Sequence, residues 1–134
     1  MLKTYFGSCH CGDVTFAAEI DFDEGSGRCN CSICAKRRAW SVIVKPDAFR
    51  LLRGEDKLSD YQFGTSGTHH RFCARCGCAP FSDGDMPGAG GAFLSISVAC
   101  LDELSEEELA AIPIAYSDGC NDVWWDKSLV MGYL

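Results

Sequence analysis

A small, mainly β domain with antiparallel sheets, metal-binding knuckles and one or two short helices is the fold this sequence predicts. Three observations carry that expectation. Apolar and polar residues alternate with a period of two in several short runs, as half-buried strands require. Glycine and proline punctuate the chain between those runs. Seven of the ten cysteines fall in three tight groups. With 134 residues, the chain falls a little short of one typical domain unit, so residues 1–134 are read as a single domain.

Taken in order, the first strand runs through Val14, Phe16, Ala18 and Ile20, which alternate with Thr15, Ala17 and Glu19. A second β-rich run, Trp40 to Val44, is stopped by Pro46. Leu58 to Phe63 reads as a third, closed by Gly64 and Gly67, and Thr68 to Phe72 as a fourth leading into Cys73. On that strand His69 and His70 point to opposite faces, so at most one of them faces a common site. Phe93 to Val98 alternates again and predicts a central strand. Helix is expected in two places. Cys31 to Arg38 suits a short turn, and Ser105-Glu106-Glu107-Glu108 is a capping box opening a helix that Pro113 ends. The run Gly84 to Gly91, with Pro87 inside it, predicts a surface loop and a flap. Such a domain has a modest core, which metal staples would supplement.

Composition excludes several classes. With 47% hydrophobic and 23% charged residues the chain is not disordered as a whole. No run of about 18 apolar residues exists to span a membrane. Residues Met1 to Gly7 lack the apolar region of a signal peptide, which predicts a cytosolic protein. The net charge of -7 argues against general binding to nucleic acid or anionic membranes.

The cysteines decide the rest. In a reducing compartment disulfides are rare, and clustered cysteines are metal ligands or catalytic thiols. Cys9-His10-Cys11-Gly12 and Cys73-Ala74-Arg75-Cys76-Gly77 are two knuckles, each aiming two sulfurs at one point, with a following glycine to relieve the crowded backbone. Together they supply the four thiolates of a structural zinc site. The alternatives are chance clustering of buried cysteines and a redox Cys-x-x-Cys, the latter without the βαβ setting it needs. Cys29-Asn30-Cys31-Ser32-Ile33-Cys34 offers three sulfurs, and three protein ligands plus an open position are the arrangement of a catalytic zinc. A fourth protein ligand would close that site, with Cys78, Cys100, Cys120, His69 and His70 available; a redox thiol cluster is the other alternative. Cys100 ends an apolar strand and is expected in the core.

Gly7 to Phe16 with its Cys9-His10-Cys11-Gly12 core, the Cys29 to Cys34 cluster, and Phe72-Cys73-Ala74-Arg75-Cys76-Gly77 together resemble the glutathione-dependent formaldehyde-activating enzyme family, also called the GFA or CENP-V family. The resemblance continues through Val98 to Asp102 and Asp118 to Asp122, almost the whole chain. It implies an Mss4-like β-tent. It also implies two zinc ions per chain, a structural one on Cys9, Cys11, Cys73 and Cys76 and a catalytic one on Cys29, Cys31 and Cys34. The implied activity is that of a carbon–sulfur lyase or synthase acting on adducts of glutathione, or another small thiol, with an aldehyde. Cys78 and Cys120 have no role in that pattern. Around the catalytic cluster, Asn30 is a candidate substrate contact or a second layer around the thiolates, with turn formation as the alternative. Lys36, Arg37 and Arg38 are candidates for glutathione carboxylates, or simply a solvated charge run. Trp124 and Trp125 either wall a pocket or pack at its rim or in the core. The rival to an enzyme is a non-catalytic zinc-stabilised β-tent binding module.

Overall fold

The computed structural model describes residues 1–65, 67–88 and 90–134. Two sheets face one another. The smaller holds β1 (Leu2–Ser8), β2 (Thr15–Asp21) and β5 (Phe49–Arg53), in the order β1-β2-β5. The larger has seven strands: β3 (Ser26–Cys29), β4 (Ser41–Val44), β6 (Leu58–Tyr61), β7 (Thr68–Cys73), β8 (Phe81–Met86), β9 (Gly91–Ser97) and β10 (Ile114–Ser117). Their order is β10-β3-β4-β9-β8-β7-β6. All pairings are antiparallel except β10 on β3, which is parallel. This is the mainly β architecture expected.

Alternation in β2 drives Phe16, Ala18 and Ile20 into the space between the sheets, where Val42, Phe81 and Ile96 of the larger sheet meet them. Three aromatic rings tie the layers together: Phe49 lies 5.7 Å from Phe16 and 4.7 Å from Phe81, centroid to centroid. At Gly7 of β1 a Cβ would come within 2.3 Å of the Phe16 ring, so only glycine lets the strand pass so close.

Helices α1 (Ser32–Arg37) and α2 (Glu106–Ala111) fall where expected. The capping box of α2 is complete. Glu108 N donates to Ser105 Oγ at 3.1 Å, and Ser105 N donates to the Glu108 carboxylate at 2.8 Å.

The expectation of a long glycine loop is corrected. Gly84, Asp85 and Met86 belong to β8 and Gly91 opens β9, paired in register from Phe81↔Ile96 to Met86↔Gly91. Pro87 and Gly88 turn the chain after β8, and residue 89 within the run lies outside the described residues. Gly84 is required in the strand, since a Cβ there would meet the Gly67 carbonyl at 2.7 Å and the Phe93 ring. Polar β8 forms because β7 and β9 supply ladders on both its edges.

Candidate metal centres and the groove beside them

The two outer knuckles converge. Cys9 and Cys11 lie in the turn between β1 and β2, Cys73 ends β7, and Cys76 lies in the turn that follows it. Their four sulfurs all lie within 4.8 Å of one another, with Cys11 Sγ 3.6 Å from both Cys9 Sγ and Cys73 Sγ. A tetrahedral zinc with bonds of about 2.3 Å has sulfur–sulfur edges of about 3.8 Å, so the donor set fits that ion. Each knuckle closes through its glycine. Gly12 N donates to Cys9 O and Gly77 N to Cys73 O, with both glycines in the left-handed region at φ +83° and +78°. The amide of Val14 donates to Cys9 Sγ at 3.3 Å. The amides of Cys11 and Cys78, aimed at Cys76, pull its thiol down to about 6, toward the thiolate a metal needs.

The third cluster is built locally. Cys29 ends β3, Cys31 caps α1 and Cys34 lies in its first turn, so a strand end and a helix start bring three sulfurs within 4.8 Å of one another. Among the described residues no fourth Cys, His, Asp or Glu joins the set. Cys78, Cys100, Cys120, His69 and His70 lie outside the set in this geometry. Three crowded thiols share charge unevenly: hydrogen bonds from Cys29 and Cys34 hold Cys31 far below the ordinary thiol range, while the same contacts push Cys29 and Cys34 above it. A divalent cation bound to all three sulfurs would remove that conflict, so this donor set also suits zinc.

Asn30 is committed elsewhere than expected. Its amide group donates to Asp118 Oδ1 at 2.8 Å and its oxygen accepts from Cys120 N at 2.9 Å. The other Asp118 oxygen accepts from Asn121 at 2.9 Å, and these two amides hold the Asp118 carboxyl below the usual range. Asn30 thus latches the 118–122 loop onto the cysteine cluster. The loop arrives very close: a Cβ on Gly119 would lie 2.6 Å from Cys29 Sγ and 2.5 Å from the Trp124 ring. Sequence reasoning placed Asp118 and Gly119 within the family resemblance but gave neither a role in the site. An Asp-Gly turn was the available signal, but nothing local says which cluster the turn packs against.

The three-thiol cluster lines a groove of about 1810 Å³ that takes in residues of β3, β4, β7, β8 and β9 of the larger sheet and reaches Ile20 and Asp21 of β2. Arg37 of α1 lines it, whereas Lys36 and Arg38 are exposed off its wall. Arg38 takes a left-handed backbone at the helix end and its carbonyl accepts from Arg28. Trp124 and Trp125 both line the groove and are exposed, Trp125 to 82%, so core packing is corrected for both. Of the two histidines, His70 lines the groove, and His69 bonds Asp60 at 2.6 Å off its wall. Cys100 and Cys78 are partly buried against the core, and Cys120 lines the groove, exposed.

A β protein in which one four-cysteine cluster joins the two sheets and a three-cysteine cluster lines a groove is the class this architecture defines. The model of the glutathione-dependent formaldehyde-activating enzyme family matches residues 4–117, and the chain belongs to that family. The match stops short of the 118–122 loop, to which the sequence resemblance had been extended. A Halomonas elongata protein provisionally named for the same enzyme is 36% identical over 81 residues, which are 54% of this chain. The chain spans about half the length of that relative, 52%. A crystal structure of a Rhodobacter sphaeroides protein superposes with a TM-score of 0.70 at 30% identity, covering 82% of this chain and 99% of that one.

Proposed function

We propose that residues 1–134 form one zinc domain acting as a carbon–sulfur lyase and synthase, joining a small thiol, glutathione, to an aldehyde, formaldehyde being the simplest. The observation that carries this reading is the three-thiol cluster, lacking a fourth ligand among the described residues and set on the wall of a large groove. A zinc ion on Cys29, Cys31 and Cys34 would keep one coordination position for a thiol and hold it as thiolate at neutral pH. A second, on Cys9, Cys11, Cys73 and Cys76, would be structural. The family match and the name of the Halomonas relative support glutathione and formaldehyde as the reactants.

This chain's own residues then orient the reactants. The Arg37 guanidinium suits a glutathione carboxylate, and Lys36 and Arg38 add to the positive field around it. The 118–122 loop, latched by Asn30, sets Trp124 beside Cys29 as a wall. In synthesis the thiolate sulfur attacks the carbonyl carbon, a carbon–sulfur bond forms, and the carbonyl electron pair moves to an oxygen that takes up a proton. Cleavage reverses each change. Because a metal-bound thiolate is a weaker nucleophile than the free ion, orientation supplies much of the acceleration. Ten unpaired cysteines suit a reducing compartment such as the cytosol, where glutathione is abundant.

Formaldehyde and glutathione combine without a catalyst, so product formation is not the test. The test is the exchange rate between glutathione and its hydroxymethyl adduct at equilibrium, followed by NMR with and without zinc-loaded protein. Both directions should accelerate equally. Acceleration only with another aldehyde would keep the lyase and discard formaldehyde. None with any aldehyde, at full zinc loading, would leave the binding module.

A further inference from the structure

We propose that His70 is the proton-transfer residue of the groove, its imidazole taking the hydroxyl proton of a thiol–aldehyde adduct as the carbon–sulfur bond breaks and returning it as the bond forms. The inference rests on the lyase reading above. Every hemithioacetal cleavage needs a base at the hydroxyl, and thiolate ligands committed to a metal do not provide one.

The fold separates the two neighbouring histidines. His69 spends its Nδ1 on Asp60 at 2.6 Å. His70, one residue on and so on the opposite face of β7, looks into the groove, and among the described residues no hydrogen bond occupies its ring nitrogens. Its ring is held in place by stacking on Phe63, centroids 5.5 Å apart at 21°, with Tyr61 behind at 6.4 Å. The charges felt at its ring are those of Arg37 of α1, of Cys31 in the cysteine cluster, and of Asp60, which bonds His69 on the other face of the sheet. His70 and the Cys29, Cys31 and Cys34 cluster line the same groove. Burial, reinforced by the Arg37 charge, lowers its pKa below the ordinary imidazole range, and Cys31 and Asp60 oppose that only in part. The base form is available at neutral pH. Arg37, which cannot lose its proton, cannot serve instead.

The step balances. An imidazole nitrogen accepts the hydroxyl proton, the O–H electron pair becomes the second carbon–oxygen bond, and the carbon–sulfur pair leaves on sulfur as thiolate. In synthesis the imidazolium returns the proton to the new alkoxide.

The experiment compares zinc-loaded wild type, His70→Ala and His69→Ala in the NMR exchange assay. His70→Ala should lose about 100-fold or more of the acceleration, the range general acid–base groups supply. Added imidazole should restore part of it, and His69→Ala should stay near wild type. Independently of activity, the ¹⁵N signals of the His70 ring in wild type should move when glutathione and formaldehyde are added together, and those of His69 should not. Should His70→Ala fail to fold, His70→Gln replaces it, and the fall in wild-type cleavage as pH drops through the imidazole pKa should be missing. Retention of wild-type exchange in the variant overturns the role of His70 and leaves the lyase reading intact. So does loss without imidazole rescue and with unmoved ring signals, which marks a merely structural ring. A wild type that accelerates nothing overturns both.

Discussion

The four-thiol cluster joins two turns whose ligands Cys11 and Cys73 stand 62 residues apart, whereas the three-thiol cluster gathers its sulfurs within Cys29–Cys34. Cys9 and Cys73 are buried at 3% and 0%, and none of Cys29, Cys31 and Cys34 is. The same side chain therefore serves two ends. A metal on the distant, half-buried set would close a long loop and pin the smaller sheet to β7 of the larger, so its binding would be folding free energy. A metal on the local, half-exposed set orders a strand end and one helical turn, and leaves a face for chemistry. On the proposed reading, separation along the chain, rather than ligand type, distinguishes the staple from the reaction centre.

The sharpest way to break that comparison is to lose one sulfur from each. Cys73→Ser should abolish cooperative thermal unfolding, because structural zinc supplies an apparent ~10–16 kcal/mol, comparable to the whole stability of a small domain. Circular dichroism melts would show it. Cys31→Ser should keep a melt near that of wild type while the exchange acceleration disappears. The reverse pattern, a folded Cys73→Ser and an unfolded Cys31→Ser, would exchange the two roles. Stepwise chelation sharpens the same contrast: zinc should leave the three-thiol cluster first, with far-UV circular dichroism unchanged, and the four-thiol cluster only with unfolding. One release step with simultaneous unfolding would contradict it.

How much of this was legible in the sequence follows from the range of the interactions. Both cysteine clusters could be read because a knuckle is a local object: Cys9–Gly12 and Cys73–Gly77 carry their turn geometry and their glycines with them. The β2 and β9 strands and the α2 capping box were legible for the same reason. Strands β1, β3, β5, β8 and β10 went unread. In β3, Ser26-Gly27-Arg28-Cys29 has no apolar alternation at all and is held by β10 on one side and β4 on the other. In β8, two ladders outweigh a glycine and three polar residues. The groove was invisible for a related reason. Arg37 differs from Lys36 and Arg38, and His70 from His69, only through direction, which depends on the sheet that folds beneath them.

A third, smaller effect probes what holds the reaction centre without ligating it. Gly119→Val places a branched side chain where only 2.6 Å separates the Cβ position from Cys29 Sγ. Either the sulfur or the Trp124 ring must move, and a displacement near 1 Å costs on the order of 100-fold in rate. The exchange acceleration should fall by about that factor, with the four-thiol zinc retained in metal analysis. An unchanged rate would show that the 118–122 loop is not part of the site.

The smallest expected effect falls on the latch itself. Asp118 accepts from Asn30 through one oxygen and from Asn121 through the other, so Asp118→Asn turns one acceptor into an amide that faces another amide donor. No sulfur is lost and no volume is added, yet the loop carrying Gly119 and Trp124 loses half of its attachment to the residue between Cys29 and Cys31. Groups that hold metal ligands in place cost about 10–100-fold when removed. The lower end, about 10-fold in exchange rate or in zinc affinity at the three-thiol cluster, is expected because the Cys120 amide still donates to Asn30. The sign with pH follows from the lowered carboxyl. Ionised Asp118 stabilises the fold above the ordinary Asp range, and that contribution fades as pH falls through its folded pKa. The Trp124 fluorescence of wild type should therefore change only in acid below the ordinary carboxylate range, a step that Asp118→Asn lacks because it has no carboxylate left to protonate. Identical acid transitions in the two proteins would detach the latch from the reaction centre and leave the open cluster to be held by α1 alone.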